Sequence, residues 1–251
     1  MKGNEFSLSF MTFLELFNNG GIALDFSFLG KYSSFFINGA KYTLLLAVFT
    51  VLAGAILGLL LSLMKLSKNK VLKYIAVSYI EFIRGTPVLV QLYIIYYGLP
   101  SLGVTFPSVP ALGNDFPDLV AGILALSINS SAYVAEIIRA GIQAVDKGQM
   151  EAARSLGMTE GQAMKKIIIP QAFKNILPAL GNEFITVIKE SSIVSVIGIH
   201  ELMYNADTVR GNIFKPFEPL LVAAFIYFIM TFSLSKLLGT VERRMRASDR
   251  S

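Results

Sequence analysis

The chain has no cysteine and one histidine, His200, so it cannot supply a disulfide framework, a thiolate metal site or a histidine-paired zinc site. Charged residues are also scarce, at 16% of the 251 positions against 54% hydrophobic ones. With a mean hydropathy of +0.60, the chain holds more apolar surface than one soluble core of its length can bury, which is the composition of a membrane protein. A phosphate-cradling G-x-x-x-x-G-K-S/T loop is missing: Gly30-Lys31 is followed by Tyr32, with no glycine at the required distance before it. No internal repeat is visible, which weighs against a self-sufficient secondary transporter of two inverted halves. The net charge of +5 and pI near 9.3 would suit nucleic acid in a soluble protein, but the placement of the basic residues points to membrane orientation instead.

What is present is a series of long apolar runs. A helix needs about 20 mostly apolar residues to cross a hydrocarbon layer about 30 Å thick. Stretches 42–64, 74–98, 119–138, 176–199 and 219–238 meet that length, the fourth interrupted by Glu183, Lys189 and Glu190. The connections after the first and third stretches, with the chain end, hold 15 Lys and Arg residues; the opposite side holds five, namely Lys2, Lys31, Lys41, Arg210 and Lys215. Basic residues are retained in the cytoplasm. The expectation is therefore an all-α membrane protein of five spans, N-terminus outside and C-terminus inside. Residues 1–33 read as an uncleaved outer segment, partly interfacial helix, because they lack a basic region leading a long apolar core and a small-residue cleavage site. Residues 34–246 form the membrane domain and 247–251 a cytoplasmic tail. Segment 99–118, with four prolines, is an outer loop of turns.

The longest inner connection, 139–174, holds two helix starts of one design. Asp146 stands three residues before Gln149, and Thr159 three before Gln162, so each can form a capping box. The first helix, about 147–157, ends at Gly157, suited to a left-handed C-cap. Pro170 stops or kinks the second. Met150, Ala153 and Leu156 recur at three-residue steps, with Glu151 and Arg154 beside them. Such a knob flanked by charge suits docking into another protein's groove or lying on lipid headgroups.

The letters carry more than the periodicity. Glu151-Ala152-Ala153, Gly157 and Ile169-Pro170 resemble the EAA motif of bacterial ABC importer permeases. From about Tyr32 onward the chain resembles the polar amino acid permease family of the histidine/glutamine/arginine type. The matching runs are Glu81 to Gln91 (EFIRGTPVLVQ), Ser131 to Ile137 (SAYVAEI), Asn182-Glu183-Phe184 and Lys189-Glu190-Ser191. That resemblance implies a type I ABC importer permease fold and a two-fold permease dimer. It also implies a pair of cytoplasmic ATPase subunits that bind ATP and Mg and receive the EAA helix, and an extracytoplasmic amino-acid-binding protein. Coupling would then fall to Glu151, Ala152, Ala153, Leu156, Gly157 and Pro170. Lys189-Glu190-Ser191-Ser192 departs slightly from the family's acidic-Thr-Ser form.

Ionisable groups near the bilayer centre face protein or water and are functional candidates. Glu81 and Arg84 lie about 12 and 16 Å deep at about 1.5 Å per residue, and their three-residue spacing allows an ion pair. Gly85, Thr86 and Pro87 follow and predict a kink. That pair, with Lys189, serves either the helix architecture or the substrate path. Glu183 and Glu190, seven apart, share a face that could hold a cation; Gln91, Asn129 and Ser130 offer donors and acceptors to the backbone groups of an amino acid or, alternatively, join helices. Gly54 and Gly58 form a small-xxx-small packing face. His200 and Glu201 fall just beyond the fourth span at the outer surface. The leading expectation is an importer subunit for a cationic amino acid such as arginine, lysine or histidine, with glutamine or cystine as the neutral alternative. It would bind no cofactor or nucleic acid and catalyse no covalent step. Ion channel, secondary carrier and membrane enzyme are the competing classes, and a neighbouring gene for an ATPase would separate them.

Overall fold

Helix α1 (Leu29–Leu66) has 38 residues, about 57 Å at about 1.5 Å each. It extends the expected first span outward into the segment read as an outer one. The computed structural model describes residues 24–109 and 115–247, so residues 1–23 of that segment, Pro110 and residues 248–251 of the tail lie outside the described residues. The buried positions of α1, among them Leu46, Ala47, Thr50, Gly54, Gly58 and Ser62, recur at three- and four-residue steps. Leu52, Ile56 and Leu63 stay exposed on other sides, a surface that suits lipid. The glycines permit a close approach to α4 (Phe116–Gln143). A Cβ on Gly54 would stand 3.2 Å from that of Ser130, and one on Gly58 2.7 Å from that of Val134. The small-residue face thus packs as expected.

The expected second span is broken. Helix α2 (Lys70–Gly85) starts where the Asn69 side chain accepts from the Val71 and Leu72 amides. It ends at Thr86, which takes an extended conformation, the region favoured for a residue before proline. Helix α3 (Val88–Tyr93) follows and runs through a π turn, Ile94–Gly98. The two stretches meet at 108°. A kink was expected at Gly85–Pro87, but this bend is sharp enough to make a re-entrant or broken span.

After α4 comes a short arm of α5 (Lys147–Ser155) and α6 (Glu160–Ala163). A π turn, Met164–Ile168, then leads into α7 (Ile169–Glu190). Pro170 does not stop a helix here: residues 160–190 run on as helix, with the π turn just before the proline, the kind of irregularity that accompanies a missing N–H within a helix. Beyond α7 lie a 3-10 stretch, Ser191–Ile197, closed by left-handed Gly198, then α8 (Leu202–Ile213) and α9 (Glu218–Ala247).

Leu46, Leu92, Ile95, Leu126 and Val194 form one core where α1, α3, α4 and the 3-10 stretch meet. Phe28, Phe36, Leu202 and Val209 form another between α1, α8 and α9. Three helices, α1, α4 and α9, are long and apolar enough to cross a membrane, and the bent pair makes a fourth if counted as one span. Helix α7, the expected fourth span, falls short because Lys174, Glu183, Lys189 and Glu190 dilute it. No strand occurs among the described residues.

Candidate functional site

Three polar constellations line the packed face of α1, near Thr50, near Thr43 and at Lys65. At mid-membrane, Ser130 donates a 2.7 Å hydrogen bond to Glu183 Oε1, joining α4 to α7. Both side chains are buried, and no hydrogen bond among the described residues reaches the other carboxylate oxygen. Nearby, Ser127 donates to the Thr50 carbonyl at 3.3 Å, while the buried Thr50 hydroxyl has no hydrogen-bond partner among the described residues. Two of the expected substrate residues, Ser130 and Glu183, are therefore together.

Gln91 and Asn129 are also together, but they brace the bend. The Gln91 Nε2 lies 2.8 Å from the Ile83 carbonyl, 3.1 Å from that of Thr86 and 2.9 Å from its hydroxyl. Its Oε1 accepts from Asn129 Nδ2 at 3.0 Å. The break after Gly85 strands carbonyls that a straight helix would satisfy, and these amides, with the Thr86 hydroxyl on the Phe82 carbonyl at 2.9 Å, take them up. The expected Glu81–Arg84 pair does not form. The Arg84 guanidinium lies over the Tyr133 ring, 5.6 Å from its centroid, and both residues, with Gly85 and Pro87, are exposed. Glu190 ends α7 half-buried. Lys189 is exposed and borders a cavity of about 410 Å³ with Ser192, Met203 and Tyr227.

In the arm, the Thr159–Gln162 capping box is complete, but the Asp146–Gln149 one is not. Asp146 caps α5 through the Gly148 amide at 2.6 Å, while Gln149 accepts from Gln171 of α7 at 3.3 Å. Gly157 has φ +86 with open space around it, so the left-handed turn and not crowding requires glycine there. The expected apolar knob is split. Ala153 is buried against the body, whereas Leu156 is 85% exposed, because Gly157 ends the helix before Leu156 can follow Ala153 inward. Glu151, Ala152 and Pro170 are exposed.

Two residues carry more than the sequence suggested. Glu136 of α4 accepts from Lys65 of α1 at 2.5 Å, while Arg139 reaches its other oxygen at 2.9 Å. Glu201, expected at the surface, is fully buried. It caps α8 through the Met203 and Tyr204 amides at 2.9 and 2.7 Å and accepts from Tyr227 at 2.7 Å and Thr43 at 3.4 Å. The signal for Glu201 was its place one residue before the apolar spacing Leu202, Ala206, Val209. Lys65 carried none, since its partner lies 71 residues away. His200 stands 3.5 Å from Asp115. Outside the spans, Lys215 binds Asp25 at 2.5 Å and holds its carboxyl well below the usual carboxylate range.

Apolar helices around a broken span, with a capped helical arm between two of them, make a multi-pass membrane protein. Residues 51–247 match the family described as binding-protein-dependent transport system inner membrane component, and the chain belongs to that family. It is 43% identical over 226 residues to the arginine transport system permease protein ArtQ of Bacillus subtilis (strain 168), covering 90% of this chain and 99% of that one. It is 42% identical over 226 residues to the putative glutamine transport system permease protein GlnP of Rickettsia bellii (strain RML369-C), covering 89% and 100%. Among solved structures, a crystal structure of an amino acid ABC transporter with histidines matches with a TM-score of 0.81 and 54% identity, over 89% of this chain and all of that one. An inward-facing MetNI methionine ABC transporter, at 17% identity and a TM-score of 0.69 over 88% of this chain and 99% of that one, shares the fold. Membership implies a partner ATPase and a substrate-binding protein, and such permease subunits are not themselves enzymes.

Proposed function

We propose that the chain is the membrane subunit of an ATP-driven importer for a polar amino acid, with cationic ones preferred. The observation that carries the preference is the Ser130–Glu183 pair, which leaves one oxygen of a buried carboxylate without a protein donor. A carboxylate taken from water is costly unless paired, and a guanidinium, ammonium or imidazolium guest would pair it. Glu190, seven residues on, adds a second carboxylate on that face. Asn129 and Ser130 would meet the backbone groups, with Gln91 holding Asn129 in place. The relatives named for arginine and for glutamine both fit the class, so glutamine is the alternative substrate.

In this reading five spans run with the N-terminus outside, two copies of the chain form the pathway, and α5 is the coupling helix. ATP and Mg bind a cytoplasmic ATPase pair whose cleft grips Glu151, Ala152, Leu156 and Gly157. Its closure turns the cavity outward to accept the amino acid from the binding protein, and hydrolysis resets it. Uptake of labelled arginine and glutamine by reconstituted complexes tests the substrate. Glu183→Gln should lower arginine uptake at least about tenfold, a loss of about 1.4 kcal/mol, and Glu190→Gln should lower it less. If arginine is not carried, or both variants carry it unchanged, the carboxylate assignment is wrong.

A further inference from the structure

The inner end of α1 holds a half-dry cluster of charges that the transport reading leaves without a role. Lys65 Nζ bonds Glu136 Oε1 at 2.5 Å. Arg139 Nε and one of its terminal nitrogens bond Oε2 at 3.1 and 2.9 Å, and the other terminal nitrogen bonds Gln143. The side chains of Lys65 and Glu136 are only 16% and 18% exposed. The cluster lies within about two turns of the point where α4 gives way to α5. Such a pair is strongly destabilised when one partner is removed, and its best-attested use is to fix register.

Its position gives that register a consequence. Above it, α1 meets α4 through Gly54 and Gly58, where small surfaces touch, and through the 3.3 Å bond from Ser127 to the Thr50 carbonyl four residues further up. Below it, the corner after α1 is stiff: Ser67 accepts from the Asn69 amide, and Asn69 caps α2. Towards its other half, α1 is tied to α8 and α9 through Thr43 and Glu201. A displacement of α5 passes first into the last turns of α4, and the Lys65–Glu136 bond is the polar link from those turns into α1.

We propose that the Lys65–Glu136–Arg139 cluster is a positioning latch that transmits the stroke of the coupling helix into α1, and through α1 to the outer end of the permease. The proposal rests on α5 being the coupling helix. Lys68 and Glu160, paired at 3.2 Å but 91% and 66% exposed, provide a control, because exposed pairs contribute little.

The test is reconstitution of the full complex with its binding protein, measuring labelled amino acid uptake and ATP hydrolysis on the same vesicles. Glu136→Gln and Lys65→Ala should lower the amino acid moved per ATP about tenfold, while hydrolysis persists within about twofold. Lys65→Arg should restore the ratio, and Lys68→Ala should leave it unchanged. A clamp that only stabilised the fold would lower uptake and hydrolysis together through loss of assembled complex, leaving the ratio intact, and that result overturns the latch. So does a loss in Lys68→Ala equal to that in Lys65→Ala. A wild-type complex that carries none of arginine, histidine or glutamine overturns the transport reading and the latch together, whereas normal wild-type uptake with an unchanged ratio in the variants overturns the latch alone.

Discussion

Glu201 is the residue that joins α1, α8 and α9. Its carboxylate receives two amides of α8, a phenol of α9 and a hydroxyl of α1 while wholly buried. Removing it strands several of these donors at once, each at a cost of about 1–3 kcal/mol where no water can replace the bond. Glu201→Ala should therefore lower the thermal midpoint of the detergent-solubilised protein by about 5 °C or more, given roughly 2–4 °C per kcal/mol for a chain of this size. Tyr227→Phe, which removes one bond, should cost less than half as much. An unchanged midpoint in Glu201→Ala would mean that the carboxylate adds nothing to the fold. At this scale the sequence was informative where chemistry is local. Gly54 and Gly58 announced a close helix contact by spacing alone, and the structure places Ser130 and Val134 against them. Glu201 caps α8 locally through Met203 and Tyr204, but its bond from Thr43 and the Lys65–Glu136 bond join residues 158 and 71 apart, and no local pattern encodes such pairings.

At the scale of elements, the outcome followed from what each helix end requires. The Thr159–Gln162 box and the left-handed Gly157 formed as their residue types dictate. The Asp146 box did not, because Gln149 found a partner on α7 instead, a tertiary contact overriding a local one. Pro170 does not stop the second helix, which runs on through a π turn just before the proline. The bend at Gly85–Pro87 was legible as a kink, but its 108° angle depends on the amides of Gln91 and Asn129, which read as substrate contacts when considered alone. For the arm, the consequence can be measured. Gly157→Ala places a Cβ on a left-handed backbone at a cost of about 1–2 kcal/mol, with no neighbour in the way. It should weaken substrate-stimulated ATP hydrolysis only partly. Gly157→Pro cannot adopt φ +86 at all, so it should abolish both uptake and stimulated hydrolysis while membrane insertion stays normal. Full uptake by the proline variant would remove the arm from the coupling path.

For the whole molecule, the decisive feature is where charge lies at membrane depth. Glu81, Arg84 and Lys189 are exposed, Glu190 is half-buried, and none of the four belongs to an ion pair among the described residues. A charge facing hydrocarbon costs about 2.5–3.5 kcal/mol on insertion scales, so these groups need water or protein beside them. Helix α9 offers the contrast: only 6% of its most apolar stretch is buried, and Phe225, Ile229 and Phe232 lie exposed as lipid-facing residues do. The charged face of α2 and the end of α7 is therefore the face expected to meet a watered pathway or another permease copy. One chain carries both an EAA arm and a full set of polar residues, so a two-fold pair of identical chains needs no divergent partner. Coexpression with the partner ATPase alone, followed by native mass measurement, should give a complex with two copies of this chain. A requirement for a second, different permease before any complex forms would rule the homodimer out. Glu81→Leu with Arg84→Leu offers a second reading of the same face. If that face lines the pathway or the pair, the double variant should lose uptake, whereas if it meets only lipid, uptake should stay at the wild-type level and the protein should become more stable.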